Sequence, residues 1–163
     1  MSSRINPELI FIGKFLDKKY NWSMNLKIKK LHPDVKVPQY AHNDDAGFDL
    51  CAKETIVLKK GERFAIPTGI AMEIPEGYVG LIWDKSGLSM KYGLKTVGGV
   101  IDSSYRGEVL VGIINFGKED YVFEKGHKVA QMIIQKKEKV DFEEVKELSD
   151  TIRGQGGFGS TGK

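Results

Sequence analysis

The stretch Arg63-Phe-Ala-Ile-Pro-Thr-Gly-Ile-Ala-Met-Glu-Ile-Pro-Glu-Gly-Tyr-Val-Gly-Leu-Ile-Trp83 decides the fold class. It divides into three short apolar or alternating runs, Arg63 to Ile66, Gly69 to Ile74 and Tyr78 to Trp83, with Pro75-Glu76-Gly77 as a turn between the last two. Runs of this length, bounded by Gly and Pro, read as strands rather than helices. The pattern continues outward. Upstream lie Thr55 to Leu58, closed by Lys60-Gly61, and an alternating run that opens at Met24; downstream lie Val109 to Asn115 and Lys128 to Gln135. Many short strands at close spacing predict an all-β chain: an antiparallel sandwich, barrel or jelly roll. One short helix is expected between Ser86 and Tyr92. No βαβ rhythm appears, which disfavours a doubly wound nucleotide fold.

A length of 163 residues fits one domain with a core of its own. Hydrophobic residues at 40% and charged residues at 29% are ordinary for a soluble globular protein, so disordered, collagen-like and membrane classes are set aside. The net charge of +3 is small, and the densest basic cluster, Lys27, Lys29 and Lys30, alternates with aliphatics rather than aromatics. No nucleic-acid partner is therefore expected. The apolar stretch Leu9 to Leu16 is interrupted by Lys14 and no small-residue cleavage site follows, so neither a signal peptide nor a membrane partner is expected. Cys51 stands alone, which excludes an intramolecular disulfide and agrees with a reducing compartment: the cytoplasm, or the host cell interior for a viral chain. Its plainest role is as a small buried apolar residue. Three histidines and one cysteine without CxxC or HxxxH spacing do not make a zinc site.

Residues 1–23 show no clean periodicity and read as an appendage, residues 24–152 as the β domain, and residues 153–163 as a flexible tail with five glycines. The tail has the makings of a phosphate cradle, with closely spaced backbone N–H groups, Arg153, Phe158, Gly159, Ser160 and Thr161, although glycine-rich termini often do nothing. Gly157 to Lys163 matches the start of a Walker A pattern, but no Ser or Thr and no helix follow, so that match is rejected. Asp84-Lys85-Ser86-Gly87-Leu88 places a cation, a hydroxyl and a glycine at a strand end; alone it is a turn. Gly98-Gly99-Val100-Ile101-Asp102 reads at its plainest as a hairpin turn capped by the aspartate, which leaves Ile101 to Gly107 unexplained. Asp45-Ala-Gly-Phe-Asp49-Leu and Gly126-His-Lys-Val-Ala-Gln131 are each weak alone: the first is a common glycine bend, and the second holds a Gln that need only pair with backbone.

Their joint occurrence, in this order, is specific. Ala46-Gly-Phe-Asp49-Leu, Lys85-Ser-Gly-Leu, Gly99-Val-Ile-Asp102-Ser-Ser-Tyr105-Arg-Gly, Gly126-His-Lys-Val-Ala-Gln131 and Arg153-Gly-Gln-Gly-Gly-Phe158-Gly-Ser-Thr-Gly resemble the five motifs of the trimeric dUTP diphosphatase (dUTPase) family. The resemblance runs from about Met24 to the carboxyl end. It implies a jelly-roll subunit, a homotrimer with sites at subunit boundaries, and hydrolysis of dUTP to dUMP and pyrophosphate, which keeps uracil out of DNA and supplies dUMP for dTMP synthesis.

Carried over residue by residue, Asp102 would orient and deprotonate the attacking water and contact the 3′-hydroxyl, and Gln131 would help position that water. Tyr105 would pack against the sugar, excluding ribonucleotides. Gly98, Gly99, Val100 and Ile101 would read uracil with main-chain groups. Lys85, Ser86 and Gly87 would hold phosphate oxygens; Arg153, Gly159, Ser160 and Thr161 would bind the terminal phosphates. Phe158 would stack on the base, and Asp49 would support the site. Mg2+ would be held chiefly by the triphosphate, which explains the lack of a dense carboxylate cage.

Two positions depart from the family pattern. Lys85 stands where an arginine is usual, keeping the charge but not the two-pronged geometry, and His127 stands where an acid is frequent. The rivals are a dCTP deaminase of the same fold, disfavoured by the complete fifth motif, and a non-catalytic regulatory protein on the same scaffold.

Overall fold

The structure, a computed structural model, describes residues 24–157. Ten strands and one helix follow one another as β1 (Lys27–Lys30), β2 (Phe48–Cys51), β3 (Ile56–Leu58), β4 (Arg63–Glu73), β5 (Tyr78–Trp83), α1 (Ser86–Tyr92), β6 (Leu94–Thr96), β7 (Val100–Asp102), β8 (Glu108–Asn115), β9 (Tyr121–Phe123) and β10 (Lys128–Lys136). They form two four-stranded sheets, β1-β4-β8-β6 and β2-β10-β5-β7, and a small β3-β9 pair, with every pairing antiparallel. The all-β reading stands, and the helix lies where the sequence places it.

The core collects the inward residues of both large sheets. Ile66 and Ile70 of β4 and Val109, Val111 and Ile113 of β8 meet Leu50 of β2, Ile82 of β5, and Val129, Ala130 and Met132 of β10 in one buried cluster. The alternation along β8, where Val109, Val111, Ile113 and Asn115 are buried and Glu108, Leu110, Gly112 and Ile114 are not, is the period of two that a sheet with one covered face requires. The buried polar residue is satisfied: the Asn115 amide donates to the carbonyls of Leu58 (3.1 Å) and Glu119 (2.9 Å), tying the β3–β9 pair to the body.

Two readings need correction, while the glycine bend keeps its place. The runs Arg63 to Ile66 and Gly69 to Ile74 are not two strands but one, β4, which passes through Pro67 with a register irregularity between Pro67 and Ala71. Side chains patch that gap: Thr68 Oγ1 donates to Val109 O (2.6 Å) and Gly69 N–H donates to a Glu108 carboxylate oxygen (2.7 Å). The glycine bend before Asp49 leads straight into strand β2. Gly98-Gly99 is not a hairpin turn, since β6 pairs with β8 in one sheet and β7 with β5 in the other, so the two glycines carry the chain across between sheets.

Regular structure ends earlier than residue 152. The last strand stops at Lys136, and Phe142 (95%), Leu148 (86%) and Ile152 (fully) stand exposed beyond it. Residues 1–23, read as an appendage, lie outside the described residues, as do Phe158, Gly159, Ser160 and Thr161.

Candidate active site

Directly opposed residues of antiparallel strands send their side chains to the same face of the sheet, and neighbours along a strand alternate. In the β2-β10-β5-β7 sheet, Phe48, Leu50, Met132 and Ile82 point into the core, so Asp49, Gln131 and Trp83 point out. The register pairs Gln131 with both Asp49 and Trp83, which sets these three side chains in one row across the outer face. Asp102 belongs to the same face on the edge strand β7, opposite Val79.

The row leads into the turn before α1. Asp84 fixes this turn: its Oδ1 accepts from the Thr96 N–H and hydroxyl (both 2.7 Å), its Oδ2 pairs with Lys95 (2.6 Å), and its carbonyl accepts from the Gln131 amide (2.9 Å). With its nitrogen so engaged, Gln131 keeps its carbonyl oxygen as an acceptor toward the face. Lys85 caps α1 through its own carbonyl, which accepts from Leu88 N–H (2.9 Å) and Ser89 N–H (3.0 Å), and no side chain caps the helix start. The N–H groups of Ser86 and Gly87, as first residues of a helix, have no intrahelical acceptor and are free for an anion.

Two cations share one carboxylate here. Asp49 Oδ1 lies 2.5 Å from Lys85 Nζ, and Asp49 Oδ2 lies 2.6 Å from Lys128 Nζ. Burial pushes the Asp49 pKa up, but the hydrogen bonds and charges of Lys128 and Lys85 outweigh it and hold the carboxyl below its ordinary value. The Asp49 hydrogen bond in turn raises the Lys128 ammonium. Asp84 is lowered likewise, burial being outweighed first by Lys95 and then by Thr96. Cys51 is raised by burial and then by the Asp49 charge, which keeps it a thiol and leaves it no nucleophilic part.

The β7 edge is built differently. Gly99, at φ 103°, holds a backbone conformation that side-chain-bearing residues rarely adopt, and a Cβ there would crowd Ile82 Cβ at 3.0 Å; its carbonyl accepts from Ile82 N–H at 2.8 Å. Tyr105 N–H closes a turn onto Asp102 O (3.1 Å), and the Tyr105 hydroxyl donates to Glu108 O (3.0 Å). The phenol lies across Gly107 so closely that a Cβ there would come 2.4 Å from the hydroxyl oxygen. Among the described residues the far side of β7 has no partner strand, which leaves its outward N–H and C=O groups without a ladder.

One protomer brings Asp49, Lys85, Ser86, Gly87 and Gln131 together and leaves Asp102 and Tyr105 apart, while Gly99 borders the row through its bond to Ile82, the neighbour of Trp83. Val79 opposes Asp102 and Trp83 opposes Gln131 from the other side of β5, so the two stand four steps apart along the strand direction, about 13 Å at strand rise, with β5 between them. Leu81, Ile133 and Val100 fill the interval on the same face, with Val100 67% exposed. Arg153 sits in a local turn, its Nε donating to Gly156 O (2.8 Å). A cavity of about 920 Å³ borders Asp49 and Lys128, but neither Asp102, Gln131 nor Ser86 lines it. Sequence reasoning left Lys128 and Asp84 without roles.

The sequence matches the dUTPase family over residues 33–162. The chain belongs to the dUTPase family. Among its relatives, the deoxyuridine 5'-triphosphate nucleotidohydrolase of Clostridium tetani is 49% identical over 140 residues, covering 85% of this chain and 97% of that one. The enzyme of the same name from Clostridium acetobutylicum is 49% identical over 141 residues, with 85% and 97% covered. A variant of the Staphylococcus bacteriophage 80alpha dUTPase, solved with dUpNHpp, is similar in structure at a TM-score of 0.80 and 32% identity, over 85% of this chain and 99% of that one. A variant from phage phi11 of S. aureus, described for its coordination of a structural Mg(II) ion, superposes at a TM-score of 0.71 and 29% identity, over 76% and 98%. Among the described residues, no helix is long and apolar enough to cross a membrane.

Proposed function

We propose that this dUTPase-family chain hydrolyses dUTP to dUMP and pyrophosphate by attack of water on the α-phosphorus, in a homotrimer whose copies share each site. The observation that carries the shared site is the spacing on one sheet face: the phosphate-binding row and Asp102 look the same way but stand about 13 Å apart along the strand direction, across the apolar side chains of Leu81, Ile133 and the exposed Val100. A water activated by Asp102 cannot reach a phosphate held by Lys85 of the same copy, whereas Asp102 of a neighbour laid against this face can. On the outer face of the other sheet, Leu110 and Ile114 oppose Pro67 and Arg63, with Val97 lying over Gly112 between them.

In this site Lys85 and the amides of Ser86 and Gly87 hold the phosphates. Asp102 accepts the water's proton and contacts the 3′-hydroxyl, and the free Gln131 oxygen orients the water. The open edge of β7, from Gly98 through Gly99 and Val100 to Ile101, reads uracil by its main chain and discriminates against a thymine methyl. Tyr105, braced against Gly107, covers the sugar where a 2′-hydroxyl would sit. Arg153, Gly159, Ser160 and Thr161 of the tail bind the terminal phosphates, and Phe158 stacks on the base. No protein nucleophile is needed, because phosphoryl chemistry rests on positioning and charge neutralisation.

Magnesium would neutralise charge on the phosphate chain. Among the described residues no three His, Cys, Asp or Glu side chains converge to hold an ion, and Asp49 and Asp84 are taken by lysines. This donor set fits an ion carried by the triphosphate. The products keep uracil out of DNA and feed dTMP synthesis, a task of the cell interior.

Purified protein incubated with magnesium and, separately, dUTP, dCTP, dTTP and UTP tests the reading. Pyrophosphate is expected from dUTP alone. Ammonia from dCTP would make the chain a deaminase, and no product from any of the four would make it a binding protein.

A further inference from the structure

Lys128 faces the phosphate row only because β10 is irregular. Counting back from Gln131, which points outward, Ala130 and Met132 point to the core, and strict alternation would turn Val129 outward and Lys128 inward. The register breaks between Lys128 and Ala130: Ala130 opposes Leu50, yet Lys128 opposes Cys51, so one extra residue, Val129, is inserted. Val129 is 1% exposed and Lys128 is on the surface. This bulge swings the Lys128 ammonium to the side of Asp49, where it takes Oδ2 at 2.6 Å while Lys85 takes Oδ1 at 2.5 Å. Bulges beside functional sites commonly re-aim a side chain in this way.

The Asp49 side chain keeps only 12% of its exposure, so its charge must be met inside the protein. With Lys85 as its only cation, the pair would be neutral, and Lys85 would be bound to the carboxylate rather than offered to a ligand. With Lys128 on the second oxygen, the group carries one net positive charge, and Lys85 keeps two of its three N–H donors for other acceptors. Building on the phosphate-binding role argued above for Lys85, we propose that Lys128 is a positioning residue of that site: it occupies one oxygen of Asp49, and so leaves Lys85 anchored but available to the substrate's phosphate chain. The lysine at position 85 makes this division necessary. A guanidinium could grip the carboxylate with one side and phosphate with another, whereas an ammonium is a single point charge.

The test is steady-state pyrophosphate release from dUTP with magnesium, together with binding of a non-hydrolysable dUTP analogue, for the wild type, Lys128→Met, Lys128→Arg, Asp49→Asn and the Lys128→Met/Asp49→Asn double variant. Lys128→Met is expected to raise KM and the analogue's Kd about tenfold, the size of one charge-assisted hydrogen bond, with kcat little changed. Its kcat/KM is expected to fall less steeply with added salt. Lys128→Arg is expected to restore both constants, and in the Asp49→Asn background removing Lys128 is expected to cost little more, because the two act through each other. A Lys128→Met variant that melts cooperatively with unchanged KM and Kd, or one whose loss lies in kcat alone, overturns the proposal. So does full additivity with Asp49→Asn. Should wild type release no pyrophosphate from dUTP, the functional reading fails by itself, and the analogue's affinities still decide the role of Lys128.

Discussion

The row Asp49–Gln131–Lys85 and the edge strand carrying Asp102 lie on one face of one sheet and are built by opposite means. The first is a network in which three lysines, two aspartates and an amide pair with one another within a single protomer. The second is held by backbone alone: Asp102 accepts a turn bond through its carbonyl, and its carboxylate stands exposed at the end of β7. Cations that meet a triphosphate must be fixed before it arrives, because ordering them on binding would cost affinity. A base that moves a proton must instead stay accessible until a neighbour and a substrate enclose it. On the proposed function, one half of the site is finished by folding and the other waits for assembly.

The sharpest way to break this contrast is Asp102→Asn. It is expected to lower kcat by roughly 10²- to 10⁴-fold, the usual contribution of a general base, while a non-hydrolysable dUTP analogue binds close to normally. Co-refolding this variant with Gln131→Ala, itself expected to be weakly active, is then expected to regain activity beyond the sum of the two, because some sites will draw an intact half from each. A mixture no better than its parts would place both halves in one copy and dissolve the distinction. Removing Gly154–Lys163 comes next, with kcat/KM expected to fall roughly tenfold or more from loss of the stacking ring and phosphate donors, at an unchanged melting temperature. A large drop in melting temperature would show instead that the tail holds the assembly.

How legible these halves were in the sequence follows from how each is made. Strands such as β5 and β8 could be read because their apolar residues alternate or run together within a few positions, and α1 because a short polar segment follows a strand. Gly98 and Gly99 misled, since two glycines in a row suit a hairpin as well as a crossing between sheets, and only the partners of β6 and β7 distinguish the two. The Lys128 bulge was invisible for a related reason: an inserted residue shows only against the register of β2, and Lys-Val-Ala-Gln reads equally well as regular strand. Asp84 escaped notice because its partners, Lys95 and Thr96, come from the far side of the helix. Spacing between motifs carried the chemistry, while long-range pairing decided which side chains do it.

The smallest expected effect concerns the closed half alone. Asp49 and Asp84 titrate below their ordinary range in the folded chain, so the folded state binds their protons less tightly than the unfolded one. Their contribution to stability is complete above the unfolded carboxylate value, near pH 4, and is lost as pH falls through the lowered folded values. Lys128 behaves in reverse: its raised value means a contribution complete below the ordinary lysine range and lost as pH climbs through the raised one. The network is therefore at full strength across neutral pH. Urea midpoints of wild type and Asp49→Asn are expected to differ at pH 7 and to draw together as pH falls through the lowered folded value, where the wild-type carboxylate takes up its proton. The exposed pair Lys27–Glu73 adds little at any pH, since solvent screens it. A gap between the two midpoints that stays constant throughout the acid limb, until the fold itself is lost, would mean that Asp49 stabilises the sheet by packing rather than by charge, and that the proposed phosphate row is no more preformed than the edge that carries Asp102.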